Sequence, residues 1–319
     1  MKTTGTYLFI ISMLAALAAP VTAQAAWPEK PITVIVPYTP GGATDTVSRV
    51  VMQKLSERLK QPIVIENKPG ANGTIGTGQA ARAKPDGYTF VTVLAAHSIN
   101  PHLYKLNYSD DDFVPVSHMA DLPLFLFINN TIPANNLKEL VEYGKKNRLT
   151  YASSGIGSSA HLTGTNFAQV AGIQMTHVPY KGSAPILSDL LAGRVSMVFD
   201  PILVPMAYAK QGKLKALAIT SAKRWEDEQD IPTMQEAGYK GFIMKSWASL
   251  MAPKGTSQDI IDTVSKNLIE VAKDPDVKEK FKAAGFVPVG STPAELAQLI
   301  KTDSSFYEKI IKENDITVK

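Results

Sequence analysis

Three stretches of this chain concentrate residue types that hold anions. "VPYTPGGATD" (36–45) places Gly41 and Gly42 between an apolar run and a helix-patterned segment. "YASSGIGSSAHL" (151–162) sets Ser153, Ser154 and Ser158 around Gly155 and Gly157 at a similar junction. "NKPGANGTIGTG" (67–78) adds further glycines and the Asn72 amide. The first backbone N–H groups of a helix have no partner within it, and the helix dipole favours negative charge there. Glycine lets a ligand approach that backbone with no Cβ in the way. Thr44 or Asp45 is placed to cap the first helix. The anion is then a nucleotide phosphate, an oxyanion formed in catalysis, or a carboxylate on a small solute.

Spacing removes the phosphate readings. The pattern G-x-x-x-x-G-K-[ST] needs a lysine to reach the phosphates, and no loop here places one there. "GIGSSA" (155–160) satisfies G-x-G-x-x-A, but "HVPYKG" (177–182) lacks the acidic residue expected about 20 positions on. A serine hydrolase would draw on Ser154 or Ser158, with His161 or His97 as base and Asp200 as orienter. Neither serine lies in G-x-S-x-G, and a serine three positions before His161 suits a helix cap. The five histidines show no metal-ligand spacing and cysteine is absent, so no metal or cofactor is expected.

Strand ends add more candidates. His97 follows the run 88–94, at the edge where an α/β sheet presents its ligand. Asp200 ends "VSMVFD" (195–200); a carboxylate buried there needs backbone donors or a cation such as a ligand amine. Tyr180 ends "MTHVPY" (175–180).

Strands and helices must aim these loops. Apolar β-rich runs fall at 32–37, 62–67, 88–94, 124–129, 149–154, 175–180, 195–200, 214–220 and 247–253. Helix-period segments lie between them: Val47, Val50, Val51, Leu55 and Leu59 recur at steps of three and four. A second helix near 257–272 carries Ile260, Ile261, Val264, Leu268 and Val271 on one face, with Thr256 and Asp259 spaced as a capping box. This alternation predicts an α/β fold with mixed, mostly parallel sheets flanked by helices. The two similar junctions lie more than a hundred residues apart, so each is assigned to its own domain, with a ligand cleft between. Residues 26–125 plus 246–319 are expected to form domain I, and 126–245 domain II.

The 319 residues suffice for two domains and a large core, and the net charge of +4 is spread without a basic stripe. Nucleic acid is therefore not an expected partner. Lys2, the apolar run "YLFIISMLAALAAPV" and Ala23-Gln24-Ala25 read as a signal peptide over 1–25. The run is shorter than the ~20 residues a spanning helix needs. Export to the periplasm, with no membrane insertion, is expected, which separates the protein from cytoplasmic ATP and NAD.

Taken together, "WPEKPITVIVPYTPGGATD", "IENKPGANGTIGTGQAARAKPDGYTF", "NPHLY", "YASSGIGSSAHLTG", "HVPYKGSAPILSDLLAGRVSMVFD" and "APKGT" resemble one family over essentially the whole mature chain. It is that of the periplasmic solute-binding proteins of tripartite tricarboxylate transporters, or Bordetella uptake gene (Bug) family. The resemblance implies a two-domain Venus flytrap, the periplasmic-binding-protein fold, with a ligand carboxylate pinched between Tyr38–Thr44 (Tyr38, Thr39, Gly41, Gly42, Ala43, Thr44) and Ser153–Ser158. Asn72, His97, Ser98 and Asp200 are implied at the distal end of the ligand. A monomer that hands a small carboxylate, a dicarboxylate with an aromatic one among the candidates, to inner-membrane transporter subunits, without catalysis, is the expected function. An exported serine hydrolase and a ligand sensor acting on a partner are the alternatives.

Overall fold

The strands form where β-branched and aromatic residues run together, and the three glycine- or serine-bearing loops each lead into a helix. The computed structural model describes residues 27–180, 183–201 and 204–318; the signal-peptide assignment, 1–25, lies outside them. First come β1 (Ile32–Val36), α1 (Ala43–Leu59), β2 (Ile63–Asn67), α2 (Thr74–Ala81), β3 (Thr89–Leu94), α3 (Ala96–Ile99) and β4 (Phe113–Pro123). The second group is β5 (Phe125–Asn129), α4 (Leu137–Gly144), β6 (Leu149–Ser153), α5 (Ser159–Ala171), β7 (Met175–Pro179), α6 (Ser183–Leu191), β8 (Met197–Asp200), α7 (Val204–Lys210) and β9 (Leu214–Ile219). Then follow β10 (Lys245–Pro253), α8 (Gln258–Lys273), α9 (Pro275–Ala284), β11 (Val287–Pro288) and α10 (Pro293–Glu313).

Two sheets result, ordered β11-β4-β10-β3-β1-β2 and β7-β6-β8-β5-β9. The chain passes from the first to the second between Pro123 and Phe125, and returns between Ile219 and Lys245. Both sheets are mixed, as the sequence suggests, but parallel pairings are not the majority. They number four of nine: β1 with β2 and β3, and β6 with β7 and β8. Each antiparallel pairing involves β4, β5 or β10, the strands beside the two crossings. β5 and β10 enter their sheets from the side on which their neighbours end, so they run against those neighbours.

One apolar cluster extends through both halves, joining Val91, Val93 and Trp247 of the first sheet to Leu126 and Phe199 of the second and to Phe167 of α5. α10 lies along this cluster with Leu296, Ile300, Tyr307 and Ile310 buried. The Trp247 indole, fully buried, donates to Asp303 of α10. A second cluster packs α1 and α8 on the far face of the first sheet through Val51, Leu55, Ile261 and Leu268. The expected capping box on α8 does not form. Ser257 is the N-cap, and the Thr256 hydroxyl instead donates to the Pro253 carbonyl at 2.8 Å, closing the turn after β10. Among the described residues, no helix is long and apolar enough to cross a membrane.

Candidate ligand-binding site

Asp45 organises the β1–α1 loop. Gly41, at φ +79°, donates its N–H to Asp45 Oδ2 at 2.9 Å. Asn67 Nδ2 and Arg49 Nε hold the same carboxylate at 3.0 and 2.9 Å. Burial pushes that carboxyl up, but hydrogen bonds from Arg49, Gly41 and Asn67 outweigh it and hold it below the usual range. The Gly41 amide is thus already used. Gly42 is the helix N-cap and supplies no side-chain cap. Among the described residues, the amides of Ala43 and Thr44 have no acceptor, so they are left to meet an anion. Thr44 itself is buried, whereas Thr39 is exposed at the loop tip.

The β2–α2 loop closes over Tyr38. Gly73, at φ +88°, sits so tightly that a Cβ there would lie 2.8 Å from the Tyr38 hydroxyl. That hydroxyl approaches the Asn72 carbonyl at 3.4 Å, and burial raises its pKa. Asn72 occupies a left-handed conformation and exchanges two hydrogen bonds with Asn100. Its Nδ2 donates to Asn100 Oδ1 at 2.9 Å, and Asn100 Nδ2 returns one to the Asn72 carbonyl at 3.1 Å.

On the opposite wall, Ser153 ends β6 fully buried. Its Oγ lies 2.6 Å from His177 Nε2, accepts the Gly155 N–H at 3.2 Å and sits 3.0 Å from the Gly155 carbonyl. Ser158 caps α5 by accepting the His161 N–H at 3.2 Å. Ser154 is exposed, and among the described residues the Ser159 and Ala160 amides have no acceptor. Gly157, at φ +78°, donates its N–H to His161 Nδ1 at 3.2 Å.

The two walls touch. Tyr104 Oη donates to the Ile156 carbonyl at 3.0 Å. A Cβ on Gly157 would lie 2.9 Å from Leu103 Cδ1 and 3.2 Å from Asn72 Nδ2. Leu103, Tyr104 and Asn100 are not among the residues singled out from the sequence. "NPHLY" contains them all, but its role depends on a partner loop some fifty residues away.

Four expected site residues have interactions elsewhere in the chain. His97 turns from the loops toward α10, buried, with Nε2 3.2 Å from Asp110 Oδ1. Its ring stacks on Tyr108 at 6.2 Å and meets the edge of Phe113 at 5.7 Å. Ser98, also buried, faces the Ile300 carbonyl at 3.4 Å. The strand-end argument finds the right edge, but α3 is one turn whose sides are set by packing on α10. The Tyr180 hydroxyl donates to Asp189 Oδ2 at 2.6 Å, leaving its N–H to border the loop through the Ser153 carbonyl at 2.8 Å. Asp200 is buried at the end of β8 next to Phe125, and it already has an interaction within the chain.

Two helix N-termini with spare amides, on walls that meet, suit an oxygen-bearing anion. No lysine or arginine lies within Tyr38–Thr44, 71–73 or Ser153–Ser158. Among the described residues, no group of three His, Asp or Glu is placed to hold a metal. Residues 47–316 match the tripartite tricarboxylate transporter family receptor. The chain belongs to this family, whose members are solute-binding receptors. The solved periplasmic binding protein BugD is 37% identical, with a TM-score of 0.83 over 92% of this chain and 100% of that one. An R. palustris protein solved with adipate gives 0.86 at 32% identity, over 92% of this chain and 99% of that one. MatC from Rhodopseudomonas palustris, solved with bound malate, gives 0.80 at 31% identity, over 89% and 100%. With its two sheets, this receptor has the two-domain Venus flytrap fold of those neighbours.

Proposed function

We propose that this receptor captures a small organic dicarboxylate in the periplasm and presents it to the membrane subunits of a tripartite tricarboxylate-type transporter. One carboxylate sits between the Ala43–Thr44 amides and the Ser154–Gly155 and Ser159–Ala160 segment. Residues 26–125 with 246–319 act as one domain and 126–245 as the other, closing on the ligand by a hinge motion. The observation that carries the reading is the meeting of the two halves at the loop before α5, where Tyr104 donates to the Ile156 carbonyl and Gly157 lies against Asn72, whose neighbour Gly73 packs on Tyr38. Adipate and malate in two relatives support the ligand class.

The hydrolase alternative would rest on the Ser153–His177 contact. Ser153 is fully buried and its hydroxyl is shared with Gly155. Burial alone drives His177 down to about 4, and among the described residues no carboxylate is bonded to it to raise its basicity. A nucleophile turned inward beside a weak base does not suit acyl transfer, and the protein acts without catalysis.

A thermal-shift screen of the chain from Ala26 tests this, using adipate, malate, succinate, citrate, phthalate and aspartate. A ligand at a hundredfold excess over Kd stabilises the fold by about 2.7 kcal/mol. A large shift with one dicarboxylate and none with aspartate is expected. A flat panel, or turnover of generic esters, sinks the proposal.

A further inference from the structure

Beneath the Ser153–Ser158 loop two imidazoles lie face to face. The rings of His161, on α5, and His177, on β7, are 3.8 Å apart and inclined by 18°. Tyr151 of β6 stacks on both, at 6.2 and 5.0 Å, and its hydroxyl is bonded to Thr165 at 2.7 Å. Each imidazole holds one glycine of the loop. His161 Nδ1 accepts the Gly157 N–H directly, while His177 Nε2 contacts Ser153 Oγ, which accepts the Gly155 N–H. Gly155 and Gly157 flank Ile156, the residue that meets Tyr104 across the cleft.

We propose that His161 and His177 are positioning residues of the binding site, a stacked pair of uncharged imidazoles that fixes the loop in its ligand-holding shape and lets the ligand go when protonated. This rests on the carboxylate reading above. Accepting the Gly157 N–H requires a bare Nδ1, which assigns the His161 proton to Nε2. Protonation would set an N–H against an N–H and remove the acceptor. A second charge 3.8 Å away would repel the first. Among the described residues, the surroundings offer no compensation close by. Apart from the pair, α5, β6 and β7 carry no ionisable residue except Tyr151. Arg148, before β6, and Glu313 of α10 lie on the outer groove beside Tyr151, and Asp200 ends the neighbouring strand β8. Burial and the mutual effect push His161 to about 3, and burial pushes His177 to about 4.

The experiment pairs a ligand-free readout with a binding one. Nitrogen-15 NMR of the chain from Ala26 should show a bare His161 Nδ1 at neutral pH. Its Gly157 amide resonance should move as the pair takes up protons, and should move in His161→Leu, which keeps bulk but loses the acceptor. Calorimetry with adipate and with malate should show affinity about tenfold lower in His161→Leu. His161→Asn, which keeps an acceptor but cannot titrate, should recover most of that loss, and in the absence of ligand its Gly157 amide resonance should move less with acid than that of the wild type. Should His161→Leu not fold by circular dichroism, His177→Gln takes its place, with the Gly155 resonance as the readout. A Gly157 amide indifferent to both pH and His161→Leu overturns the proposal, as does His161→Leu binding like the wild type. If neither acid binds the wild type, the acid that the thermal-shift panel selects replaces them; if that panel is flat, the carboxylate reading fails and the Gly157 resonance alone decides whether the pair holds the loop.

Discussion

Tyr104 donates its hydroxyl to the Ile156 carbonyl at 3.0 Å, a hydrogen bond joining the side of the first sheet to the loop that opens α5. Its partners lie 52 residues apart, one in the segment between α3 and β4 and the other between β6 and α5. A bond made when the walls meet favours the closed state and so slows ligand release. Tyr104→Phe removes the donor and keeps the ring beside Gly157. The expected outcome is affinity lower by about fivefold to tenfold, a net hydrogen bond's worth. Stopped-flow measurement should place the loss in the dissociation rate. An unchanged dissociation rate would show that the contact plays no part in holding the ligand.

Adjacent glycines in the β1–α1 loop should respond differently. Gly42 has φ −78°, and a Cβ would meet only the Thr39 carbonyl at 3.5 Å, an ordinary contact. Gly42→Ala should fold normally, whereas Gly42→Leu should fold but abolish carboxylate binding by blocking the Ala43 and Thr44 amides. Gly41 has φ +79° with open space around it. Gly41→Ala should therefore cost about 1–2 kcal/mol of stability through backbone strain. Thermal melts and calorimetry on the three variants separate the two effects; Gly42→Leu with wild-type affinity would refute the role of this loop.

Local pattern made most of the strands and the strand–loop–helix junctions at 36–45 and 151–162 legible, because period and turn chemistry act over a few residues. β4 was not. Its sequence "FVPVSHMADLP" carries two prolines and the polar pair Ser117–His118, which locally reads as loop. Those polar residues are buried because the segment before α10 satisfies them: Ser117 Oγ donates to the Ser291 carbonyl at 2.8 Å, and the His118 N–H donates to Ser291 Oγ at 2.9 Å. The orientation of His97 and Ser98 was hidden for the same reason, since Ser98 meets Ile300, 202 residues later. Where a side chain's direction is set by a distant element, spacing alone cannot supply it.

Asp45 is a structural keystone for the same loop, holding Gly41, Asn67 and Arg49 at once. Asp45→Ala should destabilise the fold by about 1–3 kcal/mol through the stranded donors and weaken carboxylate binding by loosening the loop. Its folded pKa is lowered, so the stabilisation it gives is present above the unfolded carboxylate value and is lost as pH falls through the folded one. Asp45→Asn should keep part of the stability and respond less to acid. Denaturant melts of wild type and both variants at pH 7 and pH 3 check this, and equal acid sensitivity in Asp45→Asn would count against it.

The histidine pair gives a different pH window. Folding depresses His161 to about 3 and His177 to about 4, both from 6.5. Between 6.5 and those values the unfolded chain binds protons that the folded chain refuses, so stability falls as pH falls. Each histidine contributes a slope of at most about 1.4 kcal/mol per pH unit within its window. Above pH 7 both states are neutral at these positions and the slope vanishes. Replacing either ring with a non-titrating residue should flatten the curve between pH 6 and pH 4, even if it lowers stability at pH 7. Urea melts at half-unit intervals would show it. A wild-type stability that stays level from pH 7 to pH 5, or a His161→Asn curve as steep as the wild type, would mean that the stacked pair titrates as it does in the unfolded chain.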